Sequence, residues 1–464
     1  MSTADVGFAS TAIPATASGW TLRLEEGRSL LRLALPIALI ALVNMGMSVT
    51  DTLMVSWLFG AEALAAVAVG SDLYSIIFYF CAGTLGGLAP FYTAAVTRAD
   101  SVSRAKLERT GWIMVALLAL LSLPAVWFAP AWLEYLGLGR GLLDEGTGYT
   151  RSMALTLIPM LGVTLYRTVL TAAEKPKVFL NVTMVMLPLN AVANYVLMMG
   201  AGPIPAFGPT GAGLSTLLVA AATLAALLFV ARRATATAAM PAAAPAGAAV
   251  EHHGLGAVLR VGLPIGVTML TETGIFLAVT LYAAALSAAD VAAHTLTLRL
   301  SGILYAGSAA MLQAAMVRMA RAATLEDAAI ARAVVTSSLL ISLTAGAALF
   351  ALMAVSAEPL AVWFFDSSAA GIAAAKVAVG LLLLLGLLEL IVYPGLAALG
   401  LLRGRKDTAA TMTFKLVSYW VIGAPLGIWL CEIQNLGVTG LWIGLVTGAA
   451  LTTLLTMWRL FTRH

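Results

Sequence analysis

The sequence predicts an all-α integral membrane protein, with twelve transmembrane helices arranged as two parallel six-helix repeats around a central cleft. Three observations carry that reading. First, 61% of the 464 residues are hydrophobic and only 10% are charged, against about 25% charged in an ordinary soluble domain. Mean hydropathy is +0.97, so too little charge is present to cover a soluble surface. Second, twelve stretches reach the roughly 20 apolar residues needed to cross the hydrocarbon core. Third, the chain repeats itself at a nearly constant offset. A soluble enzyme, a nucleic-acid binder and a disulfide scaffold are excluded on composition. The two cysteines, Cys81 and Cys431, lie far apart in apolar stretches and offer no metal spacing.

The predicted spans are 31–57, 64–94, 111–133, 152–172, 178–199, 211–231, 258–286, 291–317, 334–356, 378–401, 409–431 and 438–460. Residues 1–29 read as a polar cytoplasmic segment rich in Ala, Ser and Thr, with no secretory signal. Residues 30–231 form the expected N-lobe, and 257–464 the expected C-lobe. Between them, 232–256 reads as a cytoplasmic linker containing ATATAAMPAAAPAGAAVEHHG, which has no helical periodicity. Placing both termini in the cytoplasm leaves all but five of the 26 Lys and Arg on that side. The exceptions are Arg140, Arg151 and Lys376 in outer loops, and Arg167 and Arg299 within spans. That bias is the positive-inside rule, and in this count Lys415 and Arg403 belong to the cytoplasmic side.

The repeat pairs LLRLALPIALIALVNMG at 30–46 with VLRVGLPIGVTMLTETG at 258–274, an offset of 228. LAAVAVGSDL at 64–73 pairs with VAAHTLTLRL at 291–300 at offset 227, and GPTG at 208–211 with GVTG at 437–440 at offset 229. Each half has an even number of spans, so both insert the same way up. They are related by an axis along the membrane normal, the arrangement of parallel-repeat transporters.

Charge at mid-bilayer is costly, so ionisable residues inside spans are functional candidates. Asp51 lies in span 1, with Asn44 and Ser48 on the same helical face. Asn190 and Asn194, four residues apart in span 5, share a face of their own. A carboxylate among amide carbonyls is a hard-oxygen set suited to Na⁺ or a shuttled proton. The alternative for the asparagines is polar glue between helices. Glu272 is roughly 20 Å deep in span 7, a site for a proton or cation, or else a neutral structural acid. Glu389 sits near the middle of span 10 ahead of Pro394, and site and structure both remain open for it. His294, beside small alanines, reads as a hydrogen-bonded packing residue. Asp72 and Arg299 occupy repeat-equivalent positions roughly 12 Å below the outer surface. They form a candidate outer gate across the cleft, unless each binds within its own half. No nucleotide-binding loop, zinc-protease helix or nucleophile elbow is present. The chain therefore reads as a non-enzyme with no cofactor, and transport has to be driven by an ion gradient or by substrate.

Eight motifs in order resemble one family over nearly the whole chain: ALPIALIALVNMGMSVTDTLMV, GTLGGLAPFYTAA, LPLNAVANYVLMMGAG, LPIGVTMLTETGIFLAV, DVAAHTLTLRLSGI, LRGRKDT, YWVIGAPLG and GLWIGLVTG. They are similar to the multidrug and toxic compound extrusion (MATE) family, in its NorM-like bacterial branch. The resemblance implies a secondary antiporter in the bacterial inner membrane that exports cationic or amphipathic organic compounds in exchange for Na⁺ or H⁺ by alternating access. It further implies small organic, chiefly cationic substrates, no nucleic-acid partner and a monomer in the bilayer. It assigns cation or proton coupling to Asp51, Asn190, Asn194 and Glu272, which form a possible Na⁺ ligand set. Two positions depart from the family. Val392 stands where many relatives have an aspartate eleven residues before the LRG motif; Glu389, one turn earlier, either replaces it or marks an altered C-lobe site. VRMARA at 317–322 stands where a glycine-containing VG motif is usual. A lipid-linked precursor flippase of the same superfamily is the alternative, though it usually carries a basic cavity. A major-facilitator transporter is disfavoured, because ADSVSRAKLERT replaces the loop motif expected between spans 2 and 3.

Overall fold

The computed structural model describes residues 19–135, 137, 139–237 and 254–462. Those residues are almost entirely helical. Eleven helical stretches are long and apolar enough to cross a membrane, and the first, Gly19–Thr97, does so twice. Its two arms meet at Gly60, whose φ of 86° is open to glycine and strained for other residues. The doubling back is visible in the packing. Glu26 near the start of the first arm pairs with Arg318, and Leu85 and Leu88 beyond the bend share a core cluster with Met316.

The twelve spans are α1 (19–59), α2 (61–97), α3 (Ser101–Trp127), α4 (Arg140–Ala172), α5 (Pro176–Met199), α6 (Thr210–Thr237), α7 (Leu255–Ala283), α8 (Ala288–Leu325), α9 (Ala328–Phe364), α10 (Ala369–Gly404), α11 (Ala409–Glu432) and α12 (Gly437–Thr462). Several are longer than their apolar runs. Helix α1 begins at Gly19, so much of the polar segment expected before residue 30 is already helix. Residues 1–18 and most of the expected linker, 238–253, lie outside the described residues. Local signals fix several ends. Asp100 caps α3 by accepting from the Ser103 backbone N–H at 2.9 Å, and Asp327 caps α9 through the N–H groups of Ala329 and Ile330. Pro36 in α1 and Pro264 in α7 stand at corresponding points of the repeat.

One end of the bundle gathers the start of α1, the α4–α5 and α8–α9 turns and the end of α12; we refer to it as the termini end. There the two halves are closed against each other. Leu30, Leu33, Ala34 and Ile37 of α1 pack on Ala310, Met311, Ala314 and Val317 of α8. Helices α2 and α7 approach so closely that a Cβ on Gly83 would lie 2.9 Å from the Gly266 Cα. Small residues permit such backbone contact between membrane helices. Contact between α1 and α8 persists as far as the level of Met45 and Gly302.

An ion network locks the same end. Arg318 donates from Nε to Glu26 Oε2 at 2.9 Å and from Nη2 to Glu26 Oε1 at 2.6 Å. Its Nη1 reaches Glu174 at 2.9 Å, which Arg321 also approaches at 3.2 Å. Arg318 belongs to the VRMARA segment that departs from the family motif. The departure has a physical reason here: the guanidinium ties α8 to α1 and to the α4–α5 turn in a bidentate geometry that lysine cannot match.

Candidate functional site

Asp51, in α1, faces α5. The side-chain amides of Asn190 and Asn194 both donate to its Oδ1, at 2.7 and 2.5 Å. The spacing of four residues explains the convergence, since it stacks the two amides on one face of α5. Both asparagines are buried, at 2% and 0% exposure, whereas Asp51 is half-buried. Ser215 of α6 donates to the Asn190 carbonyl at 3.4 Å and so supports that helix from behind. The partners of Asp51 therefore come from α5 rather than from its own helix, where Ser48 is exposed. With both amide nitrogens turned to the carboxylate, Asn194 Oδ1 is left buried without a donor. A carboxylate and an orphaned carbonyl oxygen side by side form an acceptor set with no positive charge to satisfy it. A buried acceptor without a donor is costly, and a proton or a small hard cation removes that cost.

Glu272, in α7, is served differently. The Lys415 ammonium of α11 donates to its Oε2 at 2.7 Å, and the Tyr305 hydroxyl of α8 donates to the same oxygen at 3.3 Å. Lys415 is 3% exposed, so it is not a solvated loop charge but one buried among the helices, which needs a partner and has one. Its ammonium also lies 6.0 Å from the centre of the Tyr419 ring. Helix α11 widens into a π-helical segment, Val417–Gly423, directly after Lys415. Such widened turns often accompany functional sites.

Glu389 of α10 is 2% exposed, and its Oε2 has no hydrogen-bond partner among the described residues. It lines a cavity of about 20 Å³ together with Glu272, Ser301, Tyr305 and Tyr419. The structure therefore brings the two C-lobe acids together. Arg403 is also buried, at 3%, with Nε and Nη2 unpartnered, and it lies within electrostatic reach of Glu272 and Lys415.

The remaining candidates sort plainly. His294 is a packing residue. Trp442 Nε1 donates to its Nδ1 at 3.1 Å, leaving Nε2 to carry the proton toward Thr280 Oγ1 at 3.0 Å. Asp72 and Arg299 are both exposed, and among the described residues no ion pair joins them. Arg299 nevertheless lies within electrostatic reach of Asp72, so the two charges of the candidate outer gate are neighbours without a direct bridge, at the end of the bundle away from the termini end. Among the described residues, no group of three or more His, Cys, Asp or Glu side chains could hold a metal ion. The set offered for Na⁺ is thus split between two places: Asp51, Asn190 and Asn194 in one half, and Glu272 in the other.

Twelve helices in two like halves, each carrying an acid near its middle, define a polytopic membrane protein of the two-repeat type. The MatE family model matches residues 36–196 and 264–429, one stretch in each half, and the chain belongs to that family. It is 30% identical over 443 residues to a probable multidrug resistance protein NorM of Geobacillus kaustophilus, covering 93% of this chain and 94% of that one. It is 28% identical over 447 residues to a protein of the same name from Agrobacterium fabrum, covering 96% and 94%. Among solved structures it is similar to a eukaryotic MATE transporter, with a TM-score of 0.82 at 17% identity over 96% of this chain and 97% of that one. It is also similar to a MOP superfamily transporter from Pyrococcus furiosus, with a TM-score of 0.81 at 18% identity over 97% and 98%.

Proposed function

We propose that the protein is a secondary antiporter that exports cationic or amphipathic organic compounds in exchange for inward H⁺ or Na⁺ by alternating access between its halves. The single observation that carries the coupling is the Asp51 site, a half-buried carboxylate framed by two buried amides beside an orphaned carbonyl oxygen. Binding a cation there changes the cost of burying the site, and a change that differs between two conformations shifts their populations. The multidrug substrate class is supported by the names of the NorM relatives. The bacterial inner membrane, with the termini end in the cytoplasm, is supported by the distribution of Lys and Arg. In that orientation the bundle is closed to the cytoplasm. A monomer suffices, since each chain holds both halves. No cofactor takes part, and the coupling ion is a substrate.

The test is uptake of a fluorescent organic cation into inverted membrane vesicles, whose cytoplasmic face is outward, under an imposed pH or Na⁺ gradient. The wild type is expected to move the dye under at least one gradient, and Asp51→Asn, which keeps shape and removes charge, to lose that response. Gradient-driven transport surviving in a well-expressed Asp51→Asn protein would refute coupling at this site.

A further inference from the structure

We propose that the Lys415 ammonium is a tethered cation seated on Glu272, so that this C-lobe carboxylate takes up no free Na⁺ and the coupling ion is left to the N-lobe site at Asp51. The proposal rests on reading the central carboxylates as cation seats, as the antiport function requires. It adds what fills one of them.

The geometry is that of an occupied site. Nζ of Lys415 lies 2.7 Å from Glu272 Oε2, within the range of a charge-assisted hydrogen bond. Tyr305 donates to the same oxygen, so its lone pairs are already used. The Lys415 side chain is 4% exposed and that of Glu272 15%. In such surroundings the attraction between the two is strong, and a second positive charge would have no counter-charge. Arg403 adds a further buried cation within electrostatic reach. Two buried bases, Lys415 and Arg403, thus act on the single Glu272 carboxylate, which leaves no negative charge there to offer an incoming ion.

Space argues the same way. On the Lys415 side of Glu272, the cavity bordered by Tyr419, Thr452, Thr453 and Thr456 measures about 20 Å³, room for roughly one water. A sodium ion with its own oxygen shell does not fit beside the lysine. The hydroxyls of Thr452 and Thr456 are committed to backbone carbonyls one turn back in α12. The N-lobe differs: amides donate to Asp51, no ion pair joins it to a base among the described residues, and an acceptor oxygen beside it stays unpartnered.

The inference predicts that removing the ammonium uncovers a Na⁺ site. Purified protein in the Asp51→Asn background isolates the C-lobe. Trp420, whose Nε1 donates to the Thr271 carbonyl at 3.2 Å, gives a fluorescence reporter beside Glu272. Binding is titrated calorimetrically and by this fluorescence at pH 8, with K⁺ holding ionic strength constant. With Lys415 in place, no saturable Na⁺ response is expected. Adding Lys415→Met is expected to produce one, and adding Glu272→Gln to that protein should abolish it. A Glu272-dependent Na⁺ response with Lys415 intact would overturn the proposal without any lysine variant having to fold. A monodisperse Lys415→Met protein that still ignores Na⁺ would overturn it as well. The readout needs no transported drug. A wild type that exports nothing would therefore sink the antiport function while leaving this result to be read on its own.

Discussion

Asp51 and Glu272 lie in like halves of one repeat, yet their neighbours differ in kind. Asp51 is held by two uncharged amides and keeps its negative charge uncompensated. Glu272 is held by an ammonium and a phenol, and its charge is cancelled inside the protein. A carboxylate framed by amides can exchange cations with solvent at modest cost. A carboxylate paired with a buried lysine cannot lose either charge without stranding the other. The difference shows how a duplicated fold can divide labour, with one half exchanging ions and the other carrying a permanent internal pair.

The sharpest way to break this comparison is to remove one member of the C-lobe pair. Glu272→Gln should strand Lys415, and Lys415→Met should strand Glu272. Each is expected to cost about 3–5 kcal/mol of stability, the range for breaking a buried ion pair. The double variant Lys415→Met/Glu272→Gln should recover most of that loss. Thermal unfolding in detergent measures all three. Additive destabilisation in the double variant would show that the pair is not a unit. Glu272→Gln alone should also lose drug resistance in cells, because it leaves an unpaired charge at the centre of the C-lobe.

The second contrast is between the two ends of the bundle. Arg318→Ala removes the tie between α8 and both Glu26 and Glu174. We expect a loss of about 3 kcal/mol, at the low end of the buried-pair range because the Glu174 side chain is 33% exposed and can hydrate. Because the tie joins the two halves, the variant should also spend less time closed at the termini end. Distance measurements between spin labels on α1 and α8 would show this as a broadened distribution, and an unchanged distribution would rule out the latch. In the N-lobe, Asn194→Ala should cost about 2 kcal/mol, as for a hydrogen bond to a charged group, and should weaken gradient-driven transport without abolishing expression. The smallest effect is expected at the end away from the termini. Asp72→Arg should impair transport, and adding Arg299→Asp should restore part of it, since a gate needs only a kcal/mol or so between states, about tenfold in population. No rescue with both proteins well expressed would assign each charge to its own half.

What was legible in the sequence follows physical range. Spans, repeat and the convergence of Asn190 and Asn194 are local periodicities, and the structure places them accordingly. The start of α1 was not legible because residues 19–29 mix Glu25, Glu26 and Arg28 with apolar residues. That stretch is helix packed at the termini end rather than an apolar membrane run. Lys415 was available to a closer reading. It stands inside an apolar stretch one turn before Tyr419, but the cytoplasmic count of basic residues absorbed it. Arg318 drew notice as a departure from a motif, yet its partner Glu26 is 292 residues away. No local rule reaches that far, and the same holds for Trp442 on His294, at a separation of 148.

The most direct test of the account reconstitutes three proteins in liposomes: wild type, Asp51→Asn, and the neutralised pair Lys415→Met/Glu272→Gln. Uptake or release of a fluorescent organic cation is followed under a pH gradient alone and under a Na⁺ gradient alone. The account predicts that the wild type responds to at least one gradient and that Asp51→Asn responds to neither. The neutralised pair should keep the wild-type gradient dependence, at whatever turnover it retains. Coupling that survives Asp51→Asn and vanishes in the neutralised pair would place the ion site in the C-lobe and contradict the account.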